Sequence, residues 1–463
     1  MKNFSLKMVK ISTCTLLITM LCLAQTYAQR SFTVEDCINY AFENNPLLNA
    51  IARDTAIAEL GKQRVTGLYL PRANFASAFQ YYIATRKTLV EGGSALAPPS
   101  LPVGEPQALD VGYKNSWYPS FNVNQLIFDP SYRNNYNIAV QNQQLQNQQF
   151  VSLKIDIITG IIKAFNTCKL LELQAKFLEG NITRIDSLIE LTRVKFDYGA
   201  GVQIEVNRVE VTGNRMRSEL ANVQGSYNEA LVALQFQMNY LEEESMVLTS
   251  QLTANQIVSG ADELMVQLSQ GTPAQRIENQ MLETQIAIAD ESIKLEKSRS
   301  GPVIGADAAL GFSPAANEID LIFQGERWKP YSYIGINLGI PIFNGLDVRR
   351  GVDQRKLVAL QTRDYLDQFS NQFESERAIT QVQIQKAMER FHFADANLKL
   401  ANHNIELLHE AFVNGVADNQ DMILGENDLY DNQARYFNEL LQLMLSQIEG
   451  RRVIGSFNAL GGL

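Results

Sequence analysis

Four stretches of the chain place apolar and polar side chains on opposite faces by alternation. Over 117–124, Trp117, Pro119, Phe121 and Val123 fall on one face and Tyr118, Ser120, Asn122 and Asn124 on the other. Over 332–342, Ile334, Ile336, Leu338, Ile340 and Ile342 oppose Tyr333, Gly335, Asn337 and Gly339. Over 303–312, Ile304, Ala306, Ala308, Leu310 and Phe312 oppose Gly305, Asp307 and Gly311, and over 73–83 Phe75, Phe79, Tyr81 and Ile83 share a face. A period of two is the mark of a strand. Each stretch is about ten residues long, enough for a tilted strand to cross a bilayer. The pattern alone also admits a half-buried sheet in a soluble sandwich. Aromatic residues at the strand ends (Tyr81, Tyr82, Trp117, Tyr118, Trp328, Tyr331, Tyr333) favour the membrane, where such girdles mark the interfaces. Four strands cannot close a barrel, since small barrels begin at about eight. Three chains would bring twelve, four chains sixteen.

Between the strands the period changes. From Ser131 to about Phe196, apolar residues recur at helical spacing, as in Ile155, Ile158, Ile162 and Phe165, then Leu178, Ile182, Ile185 and Ile189. A helix of about 65 residues is about 100 Å long, far beyond an ordinary globular helix. Its heptad-like spacing predicts coiled-coil packing. The pattern returns over 203–241, 346–412 and 419–455. Runs such as Gln141-Asn142-Gln143-Gln144 read as a hydrated helix face lining water.

These elements occur twice. Val123–Pro130 resembles Leu338–Gly345, and Phe196-Asp197-Tyr198-Gly199 resembles Phe412-Val413-Asn414-Gly415 at nearly the same separation. The expected organisation is a first repeat over 29–242, a link over 243–271 and a second repeat over 272–463. Each repeat reads helix, strand, loop, strand, long helix, turn, long helix. Thr272-Pro273-Ala274-Gln275 carries the cap, first-position proline and capping-box glutamine of a helix start. The segments 84–115 and 313–330, the former rich in Gly, Pro and Ser, read as exposed loops on the extracellular side.

The first 28 residues read as a secretory signal. Lys2, Lys7 and Lys10 precede the apolar run Ile11–Ala24, which is too short to span a membrane comfortably, and Thr26-Tyr27-Ala28 suits cleavage; an uncleaved anchor is the alternative. Cys14 and Cys22 leave with the signal. Cys37 and Cys168 remain, either as buried free thiols or as a bridge in an oxidising compartment. Beyond the signal no apolar run reaches the length of a helical span, so a secreted chain that enters a membrane must do so as a closed barrel. With 50 acidic against 40 basic residues the net charge is −10, which argues against nucleic-acid binding.

No catalytic, cofactor or metal site is expected. His392, His403 and His409 lack the spacing of a metal pair, no phosphate loop or nucleophile elbow occurs, and Asp418–Asp431 lacks calcium-loop spacing. Gly199 and Gly415 fall where paired helices turn. Carboxylates follow each turn: Glu205 in the first half, Asp418 and Asp421 in the second.

The chain resembles the TolC-type outer-membrane efflux proteins over nearly all of its mature length. The resemblance rests on Phe32-Thr33-Val34-Glu35-Asp36-Cys37-Ile38 with Asn44-Asn45-Pro46, on the Ile340–Gly345 junction with Pro341, Phe343 and Gly345 (Phe128 is the first-half counterpart of Phe343), and on the two glycine turns. It implies a mostly α fold with a membrane β-barrel: a homotrimer whose four strands per chain make a twelve-stranded barrel in the outer membrane, above a coiled-coil helical tunnel in the periplasm. Pro341 would redirect strand into helix, and Leu126 is the first-half equivalent that lacks the proline. Asp421, with Glu205 as its counterpart, would supply an acidic ring at the periplasmic gate, the bland alternative being a helix-start carboxylate. Phe412 and Ala417 stand where some members carry a tyrosine and an arginine of a closing bond network. The implied partners are outer-membrane lipid, a periplasmic adaptor and an inner-membrane transporter of RND or ABC type. A type I protein secretion duct and, in a different class, a periplasmic coiled-coil scaffold are the competing readings.

Overall fold

A computed structural model describes residues 30–241, 246–249 and 253–458. The signal expected over 1–28, with Cys14 and Cys22, lies outside the described residues. The chain begins with β1 (Arg30–Phe32), α1 (Val34–Asn44) and α2 (Pro46–Thr66). Then come β2 (Arg72–Tyr81), β3 (Lys87–Glu91), β4 (Pro106–Asp110) and β5 (Asn115–Phe128). Two long helices follow, α3 (Tyr132–Asp197) and α4 (Gln203–Met238). The short β6 (Met246–Leu248) and α5 (Ala254–Gln270) precede α6 (Ile277–Ser298). The second set is β7 (Val303–Phe312), β8 (Ala315–Ala316), β9 (Pro330–Gly339), α7 (Asp347–Val413) and α8 (Asn419–Val453). No helix among the described residues is long and apolar enough to cross a membrane.

The chain divides into two compact units, and each draws on both sequence halves. One holds residues 55–145 and 284–364, the other 30–54, 146–283 and 365–458 of the described residues. In the first unit, β2, β5, β7 and β9 form an antiparallel sheet in that order, with β8 added beside β5. Register puts Phe75 opposite Phe121, Phe121 opposite Leu310, and Ala308 opposite Ile334, so the apolar positions of neighbouring strands share one face. These side chains point to solvent in the single chain: Phe121 is 63% exposed and Ile334 88%. The Phe75 and Phe121 rings meet at 4.9 Å, a cross-strand pair worth roughly 0.5–1 kcal/mol. The opposite face carries Asn74, Asn122, Asn124, Asp307 and Asn337. A register shift between Leu126 and Phe128 bends β5 near its end.

Two expectations change here. The strand expected over 332–342 runs Pro330–Gly339 instead, so Ile340, Pro341 and Ile342 lie beyond it; Pro341 has no N–H for a ladder bond. The segment 84–115, read as loop, contains a two-stranded ribbon, β3 against β4, with Lys87 opposite Asp110. Its short runs between glycines and prolines hide the strand pattern.

The second unit is helical apart from the parallel pair β1–β6. Its first core packs Ile158, Ile161 and Phe165 of α3 against Ile38 and Ala41 of α1 and Leu234 and Met238 of α4. Cys37 and Cys168 lie in the same cluster as fully buried free thiols, each pushed up to about 12 by burial, so both are inert at neutral pH. A second core joins α5 (Ile257, Leu264, Leu268) to Phe373 and Ile384 of α7 and Phe437 and Leu443 of α8. The stretch between the repeats is thus largely a packed helix. The turn at Thr272 is a short 3-10 helix, Pro273–Gln275, in which the Gln275 side chain accepts from Thr272 N at 3.1 Å, and α6 proper starts at Ile277. A third core takes residues from four helices, among them Ile185, Met216, Ile405 and Leu429.

Candidate functional site

At both helix–helix turns the backbone must reverse, and the same device appears twice. Gly199 has φ +74° and Gly415 φ +73°. At the first, Gly199 N donates to Phe196 O at 2.9 Å and Ala200 N to Lys195 O at 2.8 Å; at the second, Gly415 N donates to Phe412 O at 3.1 Å and Val416 N to Ala411 O at 2.8 Å. This is the paired hydrogen-bond pattern of a Schellman ending. A Cβ at either glycine would meet nothing within 4 Å, so the demand is purely conformational. Gly415→Ala is expected to cost about 1–2 kcal/mol, with Gly415→Asn recovering part of it, read as thermal unfolding in detergent. Equal stability of the glycine and alanine proteins would show that the left-handed turn is not required.

The carboxylates after the turns sit differently. Asp418 caps α8, its Oδ1 accepting from Gln420 N at 2.8 Å and Asp421 N at 2.9 Å, while Asp421 Oδ2 accepts from Asp418 N at 3.0 Å. This reciprocal box fixes Asp421 on the exposed first turn of α8 with one oxygen engaged. Glu205, in the first turn of α4, accepts from the buried Asn419 at 3.2 Å. The structure therefore links the two turns through Asn419, and Thr192 donates to the same side chain at 3.3 Å. Phe412 is buried, with Lys195 Nζ 4.3 Å from its ring centre; this cation–π contact was not foreseen from sequence, because it joins residues far apart in the chain. Farther along the same helices, Arg184 Nε donates to Glu426 Oε1 at 2.9 Å and Arg184 Nη2 to Asn181 Oδ1 at 2.6 Å. Glu426 is almost fully buried.

At the strand-to-helix junctions, Phe128 is the last residue of β5 and is exposed, and Phe343 lies past β9 and is 81% exposed. Pro341 follows the end of β9, but the left-handed residues that redirect the chain are Gly345 (φ +61°) and Leu346 (φ +67°). At the loop end of the sheet, Trp117, Phe312, Phe323 and Trp328 cluster, with the two indoles 5.1 Å apart and edge to face. Trp117 Nε1 donates to Ser77 at 2.7 Å. The cluster lies at the strand ends, the position at which aromatic residues are expected from the sequence.

The sheet thus has strands of about ten residues, one apolar face, one polar face and an aromatic cluster at one end. Residues 72–239 match the family model described as outer membrane efflux protein. Among solved structures, the outer membrane protein VceC of Vibrio cholerae aligns with a TM-score of 0.65 at 14% identity, covering 91% of this chain and 96% of its own. The outer membrane channel CmeC of Campylobacter jejuni aligns with 0.66 at 14%, covering 91% and 85%. The open state of the Neisseria gonorrhoeae channel MtrE aligns with 0.67 at 13%, covering 91% and 88%. No curated protein matches the chain by sequence. The family match spans about a third of the chain, and the likeness to these solved structures, at 13–14% identity, shows the fold that they share with it.

Proposed function

We propose that three copies of this chain close one twelve-stranded barrel and serve as the passive exit duct of a tripartite pump for small molecules. A periplasmic adaptor and an inner-membrane transporter of RND or ABC type would be its partners. The observation that carries the reading is the open sheet: β2 and β9 are its two edges, and unpaired backbone N–H and C=O groups are not tolerated in lipid. Pairing β2 of one copy with β9 of the next satisfies both edges and turns the apolar face outward to the bilayer.

Asp421 is the proposed gate. Its exposed position on the first turn of α8 would bring three carboxylates around the axis of a trimer, a ring that attracts cations and is blocked by one that binds. Glu205, its first-half counterpart, is the second carboxylate of the proposed gate and accepts from Asn419. The test is single-channel conductance of the detergent-purified protein with and without Asp421→Ala. Discrete steps whose block by a multivalent cation weakens by roughly tenfold or more in the variant support channel and gate together. Unchanged block removes the gate assignment, and a monodisperse protein that needs no detergent favours the coiled-coil scaffold instead.

A further inference from the structure

The four strands of the sheet carry Asp, Glu, Lys, Arg or His at two positions, Arg72 and Asp307. Register places them in one row. Arg72 pairs with Asn124, and Asn124 pairs with Asp307. Alternation puts both on the polar face, opposite Phe75, Phe121 and Ile334. The Asp307 carboxylate has a fixed partner: Asn337 Nδ2 donates to Oδ1 at 2.6 Å. Across the next strand stands Gly335, where a Cβ would come within 3.2 Å of Oδ1, so the position facing the carboxylate is kept small.

An ionisable side chain at membrane depth is costly and is retained where it faces water and acts on what passes. We propose that Arg72 and Asp307 form a charge belt around the lumen of the barrel, in which each copy contributes one cation and one anion from one row of its sheet. Neighbouring strands are about 4.8 Å apart, so the two charges stand about 10 Å apart within a copy, close to the Debye length at physiological salt. Each therefore acts on ions locally: Asp307 draws cations, Arg72 draws anions, and the belt as a whole stays balanced. This rests on the channel reading above.

The experiment is the reversal potential of open channels in a planar bilayer under a potassium chloride gradient. Asp307→Asn should lower the potassium-to-chloride permeability ratio roughly threefold, Arg72→Gln should raise it by a similar factor, and the double variant should return it toward the parent. In a parallel arm, Asp307→Cys is treated with a positively charged, water-soluble methanethiosulfonate and should lose conductance. Cys37 and Cys168, buried in the helical unit, leave the background silent. Conducting channels whose reversal potential is the same in the parent and both single variants overturn the belt and leave the channel standing. So does an introduced thiol that the reagent never reaches. A folded, membrane-extracted trimer that never conducts overturns the channel reading and the belt with it.

Discussion

Phe121→Arg should destabilise the assembled barrel by about 2–4 kcal/mol, whereas Asn122→Arg, one residue on, should stay within about 1 kcal/mol of the parent. The two sites are neighbours near the middle of β5 and differ only in the face they occupy. Phe121 lies between Phe75 and Leu310 on the apolar face, so in the proposed barrel a guanidinium there enters hydrocarbon and the ring contact at 4.9 Å is lost as well. Asn122 lies between Asn74 and Ala309 on the polar face, where the proposed barrel would give a charge the water of the lumen. The measurement is the urea midpoint for folding into lipid vesicles, with resistance of the oligomer to detergent as a second readout. Equal losses at both sites would mean that the two faces are not lipid and lumen, and the barrel reading would fall.

Arg184→Met should cost about 3–5 kcal/mol, because it strands a buried carboxylate. Glu426 is only 1% exposed and its charge is met by Arg184 from another helix. The double variant Arg184→Met with Glu426→Leu should regain most of the loss, since replacing a buried ion pair by apolar groups of similar volume is often neutral. Helix unfolding followed by circular dichroism in detergent reads both. A double variant as unstable as the single one would show that the arginine acts through packing of its stem and not through its charge.

Much of the architecture was legible because it rests on periodicity. The alternation around Phe121, Ile334 and Leu310 located the four strands to within a few residues, and the unbroken 3.6-residue pattern located the long helices α3 and α7. Gly199 and Gly415 were readable as turns since the left-handed conformation strongly favours glycine. The ribbon within 84–115 was not legible, because strands of five residues between glycines and prolines present too few alternations. The β1–β6 pair was missed for a different reason: three residues at each end of a long sequence separation carry no local signal.

The sequence by itself determined which residues face apart along each strand, where the two long helix pairs turn, and that four strands need partners to close. These follow from steric and periodic constraints that act over a few residues. Tertiary structure alone decided which distant residues meet. It set Arg72 and Asp307 in one row across three strands, engaged Glu205 with Asn419, laid Lys195 over Phe412 and buried Glu426 against Arg184. Those pairings depend on register and on helix packing between segments that are remote in the chain. No local preference encodes them, and they form only when the packed cores and the sheet ladder fix which side chains come within a few ångströms of each other.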